Sequence, residues 1–563
     1  MPFSPSGFLF RNTWFAILLC ILPLLLYAWF FQSISLNVNY IAFDDIMILG
    51  VIPGFEGAGW LEKWKLLTTL FPEHRLVFSR SVILFLNGVF GRVDLVWLMI
   101  IANLCWALCG WIFYRAFARL QLPLWYFVPV LWLWFNVQSF ENIFWGVSSL
   151  CNFGVILFVL SAMFLAAYKP HRLLPALMFC IAATFTYGNG MMAFAVTGCI
   201  YWLAGHHRSF FITLGTAVLV AAIYFIDFTP ITQSINPADP AEVRDGLAGF
   251  SGFIGSIATL SAYGLSTRVM YLAVAAGVVF ILTLLFLYRY QVLLLTRAVL
   301  RKSPYNNQGA LFALAICMFT AITALALAYK RIPTDTFEGM FKGRYRMYST
   351  LWCVAMYLGF LSVTKKRANL ALWIVPASIL LNLMILHSNF ADAVNNRRAA
   401  VVQEFNARYN ADWLGIKMFS MDQAHFEKIR SYYQSSDPLA EGWEPGSPEP
   451  VVCDSTYKPD SVMQRGGHVL VHYYNNFFTP EKDYTDGAYV LLKSARHVYA
   501  APPGQLAVPL KTTLRRGMYF SKGVYAGFHQ ATIEPGLYQI YLLVRKNGKN
   551  RIYCTGETWN EKL

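Results

Sequence analysis

The stretch TWFAILLCILPLLLYAWFFQSIS, residues 13–35, decides the class of this chain. It carries no charged side chain over a length greater than the ~18–20 apolar residues needed to cross the hydrocarbon of a bilayer. No small-residue cleavage site follows Leu24 to Phe31, and many more apolar runs come later. The segment therefore reads as a retained membrane helix and not as a removed signal. Shortly beyond it, where the chain should emerge from the membrane, stand two adjacent acids, Asp44 and Asp45.

The composition of the whole chain agrees. Of 563 residues, 57% are hydrophobic and 13% charged, with a mean hydropathy of +0.46. That is too apolar for a soluble globular protein. Apolar segments recur near 13–35, 93–114, 122–137, 148–167, 173–187, 191–205, 209–228, 267–288, 308–329, 347–363 and 368–388, which predicts about eleven spans. Leu76 to Phe90 is also apolar but is interrupted by Arg80, and reads as interfacial or re-entrant. Beyond Asn389 the chain turns polar and rich in Tyr, Gly and Pro. The expected fold class is an α-helical polytopic membrane protein with a C-terminal extracytoplasmic β-rich domain. The expected domains are a membrane domain over 1–390, a helical connector and linker over 391–450, and a sandwich-like β-rich domain over 451–563.

Orientation follows from the cations, because short cytoplasmic loops carry an excess of Lys and Arg. Alternate connections hold Arg115 with Arg119, Lys169 with Arg172, His206 to Arg208, Arg289 to Lys302, and Lys365 to Arg367. The opposite connections collect Asp44, Asp45, Glu56, Glu62, Glu73, Glu141, Asp335 and Glu338. With Arg11 inside and an odd number of spans, the N-terminus is expected in the cytoplasm and the tail outside, in the periplasm of a bacterial inner membrane. The net charge of +15 is then largely loop anchoring and contact with anionic headgroups. No basic stripe or zinc-ligand spacing points to nucleic acid.

Polar residues crowded at one membrane face are costly unless they serve a site. Four clusters face the outer compartment: Phe43-Asp44-Asp45; Glu73-His74-Arg75; Gln138 to Gly146, which includes Glu141, Asn142 and Trp145; and Lys330-Arg331 with Arg344-Tyr345-Arg346. A Tyr187-Gly188-Asn189-Gly190 turn lies on the same side. A carboxylate can accept the proton of an acceptor hydroxyl as that oxygen attacks an anomeric carbon. Arg and Lys can neutralise a departing phosphate. Trp, Asn and Gln are groups that hold sugars. Each element also has a plainer reading. An Asp-Asp pair commonly serves as a solvated cap, Glu73-His74-Arg75 as an interfacial ion cluster, and Trp near span ends as a membrane anchor.

An Asp pair in a first external loop, then Glu-His-Arg, a Gln-x-x-Glu-Asn-x-x-Trp-Gly segment, a Gly-Asn-Gly turn and an Arg-Tyr-Arg before a late span resemble bacterial glycosyltransferases of the C superfamily (GT-C). Members of that superfamily include oligosaccharyltransferase subunits, protein mannosyltransferases, lipid A aminoarabinose transferases and serotype-converting transferases of O-antigen. The resemblance covers roughly residues 1–390. It implies that Asp44 or Asp45 is the catalytic base of an inverting transfer. The implied donor is a polyprenyl-phosphate sugar such as an undecaprenyl-phosphate sugar, whose phosphate would meet Lys330, Arg331, Arg344, Arg346 and Arg75. Glu73, His74, Gln138, Glu141, Asn142, Trp145, Asn189 and Tyr345 are the candidate substrate contacts, and the acceptor is a glycan, lipid or protein. The Asp-Asp pattern departs from the Asp-Glu and Asp-x-Asp of other branches, which leaves the base and any divalent metal open.

In the tail, Asn389 to about Ser435 is expected to be helical. Strands are expected over His468 to Tyr473, Ala488 to Leu492 and His497 to Ala501. A further pair, Leu537 to Val544 with Arg551 to Thr555, is joined through Asn547-Gly548, a dipeptide suited to a type I′ hairpin. Eight of ten cysteines lie in or beside apolar segments; Cys453 and Cys554 lie in the tail, where an oxidising compartment would favour a disulfide between them. Other function classes fit less well. An O-antigen polymerase need not end in a β domain, an O-acyltransferase should place a His within the membrane, and a transporter should show repeats or paired broken helices. A scaffold leaves the clustering of acids and cations on one face unexplained.

Overall fold

The computed structural model of the chain describes residues 13–35, 43–229, 233–364, 368–410, 428–433, 437–441, 452–453, 457–474, 483–530 and 533–561. Arg11, Lys365, Lys366, Arg367, most of the stretch 411–435 and the linker after Glu441, on which several expectations rest, lie outside these residues, as do the side chains of Asp44 and Cys453. Among the described residues, seven helices are long and apolar enough to cross a membrane: Thr13–Ile34, Leu95–Ala118, Gly146–Tyr168, His207–Tyr224, Thr267–Tyr288, Gln308–Asp335, and Trp373–Asn410 within the long helix Ala368–Asn410. The four other predicted segments are helical but fall short in length or apolarity: Val128–Trp134, Leu173–Thr184, Met192–Leu203 and Arg346–Val363. Large apolar side chains stand exposed on these helices, as with Leu282 (57%) and Leu285 (63%) on Thr267–Tyr288. Water would penalise such a surface, and hydrocarbon would not.

Contacts divide the chain into two compact units. One comprises Met1–Trp29, Gly57–Val82 and Leu98–Leu386; the other comprises Phe30–Glu56, Ile83–Trp97 and His387–Leu563. The first unit is a helical bundle. Its helices Pro240–Gly255 and Thr267–Tyr288 meet at Gly255 and Gly277, where a Cβ on Gly277 would lie 1.8 Å from the Ser251 carbonyl oxygen. Small residues let two backbones approach this closely in a membrane bundle. The helix Val128–Trp134 stops after two turns, which frees carbonyls that lipid cannot satisfy. Asn382 Nδ2 donates to the Trp132 and Phe135 carbonyls at 2.6 and 3.2 Å. Trp106 and Trp134, stacked at 3.6 Å, exchange indole N–H bonds with each other's carbonyls. The segment expected to be interfacial or re-entrant, Leu76 to Phe90, forms a helix too short to cross a membrane. Val77–Phe90 is one helix, and Arg80 donates from it to the Leu67 and Thr69 carbonyls at the end of helix Trp60–Thr68.

The second unit contains two antiparallel β layers. A five-stranded sheet runs in the order Val452–Cys453, Lys549–Glu561, Gly536–Lys546, Gly487–Lys493, Val498–Ala501, with only the Val452–Cys453 pairing parallel. A four-stranded sheet runs Ser461–Arg465, His468–Tyr473, Val524–His529, Pro503–Gly504. Strand alternation sorts Gly487–Lys493 cleanly between two cores. Val490 and Leu492 meet Val471 and Ala526 of the other sheet, while Tyr489 and Leu491 meet Val401, Val402 and Phe405 of the long helix Ala368–Asn410. That strand is therefore buried on both faces, as its continuous apolar run implies. The Asn547-Gly548 hairpin forms as read from the sequence, with φ of 53° and 74° at its two central residues. Cys453 and Cys554 are register partners across the parallel pair, and the disulfide expected between them depends on the Cys453 side chain, which lies outside the described residues.

Candidate functional site

In the helical unit, four segments far apart in sequence converge on one polar cluster. The first is the hairpin in which Leu70–Phe71 pairs with His74–Arg75. Arg75 fixes it from below: Nε and Nη2 donate to the Tyr224 carbonyl at 3.0 and 2.9 Å, Nη1 donates to the Thr68 carbonyl at 2.5 Å, and the guanidinium pairs with Asp227. Arg75 is thus occupied by protein groups. Its bonds orient the next-door His74 onto the Tyr187 ring, 4.2 Å between centroids.

The second segment is the Gly-Asn-Gly turn, a 3-10 element over Gly188–Met191. Its glycines answer to close approach: a Cβ on Gly190 would lie 1.9 Å from the Ala183 oxygen, and one on Gly188 would lie 2.6 Å from His74 Nδ1. His74 Nδ1 is itself buried without a hydrogen-bond partner. Burial, and after it the Arg331 charge, pull the imidazole down to about 4 from the ordinary 6.5. It is neutral at pH 7. Asn189 Nδ2 donates to the Tyr348 hydroxyl at 2.6 Å, while Asn189 Oδ1 is buried without a partner.

The third and fourth segments are the short helix Phe140–Phe144 and the turns leading into helix Arg346–Val363. Glu141 Oε2 accepts from the Arg344 backbone N–H at 2.9 Å, and Oε1 lies 3.4 Å from Arg344 Nη1. Asn142 Nδ2 donates to the Arg344 carbonyl at 2.7 Å and its Oδ1 accepts from Asn152 at 2.8 Å. The Arg344 guanidinium lies 5.6 Å from the Trp145 ring and 5.5 Å from the Tyr345 ring. Burial opposes its charge, yet Tyr345 and Glu141 hold its pKa above the ordinary guanidinium range. Burial pushes the Tyr187 phenol up; Tyr345 adds to this, and Arg344 and Arg331 act against it.

The structure thus brings His74, Glu141, Asn142, Trp145, Asn189, Arg331, Arg344 and Tyr345 into one neighbourhood with Tyr187 and Tyr348. Two other predicted residues point elsewhere. Arg346 is fully buried and donates to the Phe341 carbonyl at 2.8 Å and the Ser256 carbonyl at 3.4 Å. Gln138 Nε2 donates to the same Ser256 carbonyl and to Thr259 Oγ1, both at 3.1 Å. Both brace the loop around Ser256. Lys330 lies beside the Tyr329 ring at 6.0 Å, and Glu73 offers its carbonyl to the Tyr224 hydroxyl at 3.3 Å. Tyr187 belongs to the Tyr-Gly-Asn-Gly turn but is not among the candidate substrate contacts of the sequence, and Tyr348 carries no signal beyond its place just after Arg-Tyr-Arg.

The acid pair belongs to the other unit. Asp45 is buried, 1% exposed, in the helix Phe43–Leu49. The segment that carries it is held from both sides within that unit. Arg397 Nη1 donates at 3.0 Å to the carbonyls of Ser33, Ile34 and Ser35. Glu56 accepts from the Tyr432 hydroxyl and lies 3.4 Å from Lys428 Nζ. Among the described residues no group of three His, Cys, Asp or Glu side chains is disposed to hold a metal ion. Comparisons with protein-family models, with curated proteins and with solved structures find no match for this chain.

Proposed function

We propose that the chain is a membrane glycosyltransferase that moves a sugar from a polyprenyl-phosphate donor to an acceptor outside the cytoplasm, with inversion at the anomeric carbon. The observation that carries this reading is the polar cluster of the helical unit. A charged Arg344, paired with Glu141, lies near the Trp145 and Tyr345 rings, with two buried and unpartnered atoms, His74 Nδ1 and Asn189 Oδ1, in the same neighbourhood. Guanidinium groups recognise phosphate, and orphaned buried polar atoms signal a ligand that completes them. Aromatic faces beside polar donors suit a sugar ring.

In this reading the carboxylate of Asp44 or Asp45 takes the proton of the acceptor hydroxyl. The acceptor oxygen bonds to the anomeric carbon, and the bond from that carbon to the phosphate oxygen breaks. Its electron pair leaves with the polyprenyl phosphate, whose charge Arg344 and Arg331 neutralise. The donor is lipid-linked because nucleotide sugars are confined to the cytoplasm, and the transfer takes place at the periplasmic face of a bacterial inner membrane. Purified wild type, Asp44→Asn, Asp45→Asn and the double variant, reconstituted with polyprenyl-phosphate sugars and analysed for glycan mass, test this. Removing the base should slow transfer by about 10²–10⁴-fold while leaving insertion intact. Unchanged transfer in the double variant sinks the mechanism.

A further inference from the structure

The β-rich unit carries a surface finger that the transfer chemistry does not use. Its base is closed by a bridge between Ala507 and Phe520, with backbone bonds Val508 N–H to Tyr519 O and Ser521 N–H to Leu506 O, each 2.8 Å. Its tip is the helix Leu510–Arg516, ended by Gly517 in the left-handed conformation with φ 63°. Along the finger, Leu506, Leu510, Leu514 and Met518 recur every fourth residue and are 58%, 40%, 78% and 39% exposed. On a helix the i, i+4 spacing puts Leu510 and Leu514 on one side, with Lys511 and Arg515 beside them. From Gln505 to Val524 the chain contains Lys511, Arg515, Arg516 and Lys522 and no acid. Exposed leucines flanked by cations alone are the composition of a segment that lies in a lipid interface.

Its attachment gives the height. The finger packs on the long helix Ala368–Asn410 at His387, whose Nε2 is 3.2 Å from Thr513 Oγ1 and whose carbonyl accepts from the Tyr519 hydroxyl at 2.6 Å. Tyr519 Oη also accepts from the Ala391 backbone N–H at 3.0 Å, and Phe390 packs on Tyr519 at 5.4 Å. His387 is one turn beyond Leu383, an exposed apolar residue of the same helix. The finger is thus pinned where that helix passes from apolar to polar sequence, the point that meets the headgroups when the apolar part of the helix spans a bilayer.

We propose that the finger Leu506–Ser521 is a membrane anchor of the β-rich unit. Leu510, Leu514 and Met518 enter the boundary between headgroups and acyl chains, and Lys511, Arg515 and Arg516 meet the phosphates of anionic lipid. The proposal rests on the membrane reading of the helices and not on the transferase reading. The test uses the full-length chain in nanodiscs of phosphatidylcholine, with or without phosphatidylglycerol, doped with a phospholipid bearing a diazirine near the glycerol end of its acyl chain. After illumination, lipid adducts are mapped by peptide mass analysis. Wild type should carry adducts on Leu510 to Met518 and none on the exposed strand Ser461–Arg465. Leu510→Ser with Leu514→Ser should lose them while adducts on the spans persist. Lys511→Gln, Arg515→Gln and Arg516→Gln together should reduce labelling in the anionic discs to the level of the neutral ones. A wild-type finger labelled no more than strand Ser461–Arg465 overturns the proposal, as does a finger cross-linked to a second copy of the chain and free of lipid.

Discussion

His74 shows how far the neighbourhood of one residue sets its chemistry. With its folded-state pKa pulled down to about 4 and an ordinary value of 6.5, the folded chain refuses a proton that the unfolded chain accepts between those values. Its contribution to stability is therefore fully present above about pH 6.5 and is lost as pH falls towards 4, by at most about 3 kcal/mol. Thermal unfolding of wild type should lose more stability over that interval than unfolding of His74→Gln; parallel pH profiles would show that the imidazole is not held neutral. Gly188→Ala belongs to the same contact. Its new methyl would sit 2.6 Å from His74 Nδ1, an overpacking of the kind that costs about 1–3 kcal/mol. The double variant Gly188→Ala, His74→Ala should recover most of that loss, because the clash is with the ring. Recovery absent in the double variant would place the strain in the turn backbone instead. Sequence pointed to His74 and to the Gly-Asn-Gly turn separately. It did not pair them, because nothing local brings residue 74 to residue 188.

At the scale of elements, Arg397 joins the end of the first span to the β-rich unit. The last carbonyls of a helix lack partners and favour a cation, and Arg397 meets the last carbonyls of Thr13–Ile34 together with the Ser35 carbonyl. Its other edge donates to Thr485 Oγ1 at 3.1 Å and Asp483 Oδ1 at 2.9 Å. Arg397→Gln should lower stability by about 1–3 kcal/mol, the usual cost of stranding buried hydrogen-bonding groups. Adding Asp483→Asn should then cost little more, since the two changes remove one shared interaction. Differential scanning fluorimetry of the purified single and double variants checks this, and simple addition of the two losses would refute the coupling. Strands were legible element by element: the short continuous apolar run in Gly487–Lys493 and the Asn547-Gly548 turn are local signals. The short helix Val128–Trp134 was legible as an apolar segment but not as a broken one, because the groups that satisfy its free carbonyls, Trp106 and Asn382, come from elsewhere in the chain.

For the whole molecule, the topological expectation meets a direct test in Cys554, a partly exposed cysteine of the tail. If the tail lies outside, a membrane-impermeant maleimide should label intact spheroplasts after mild reduction, and Cys453→Ser with Cys554→Ser should abolish the signal. Labelling that appears only after lysis would place the tail in the cytoplasm. That this chain is an apolar, many-helix protein is readable from its residues alone. Long uncharged runs are a local property, and the cost of burying charge in hydrocarbon makes them readable without any fold. The strand runs and the hairpin of the tail are readable in the same way. Which polar residues share a neighbourhood is a matter of how the segments pack. That packing joined Arg344 to Glu141 and His74 to Tyr187, and turned Arg346, Gln138 and Arg75 into braces for backbone carbonyls. It also gathered Phe30–Glu56, with Asp45, into the same unit as the β sheets. The physical reason is that a guanidinium or amide is equally suited to a ligand or to an orphaned carbonyl. Which of them it meets is set largely by packing between segments distant in sequence, and no local pattern records that.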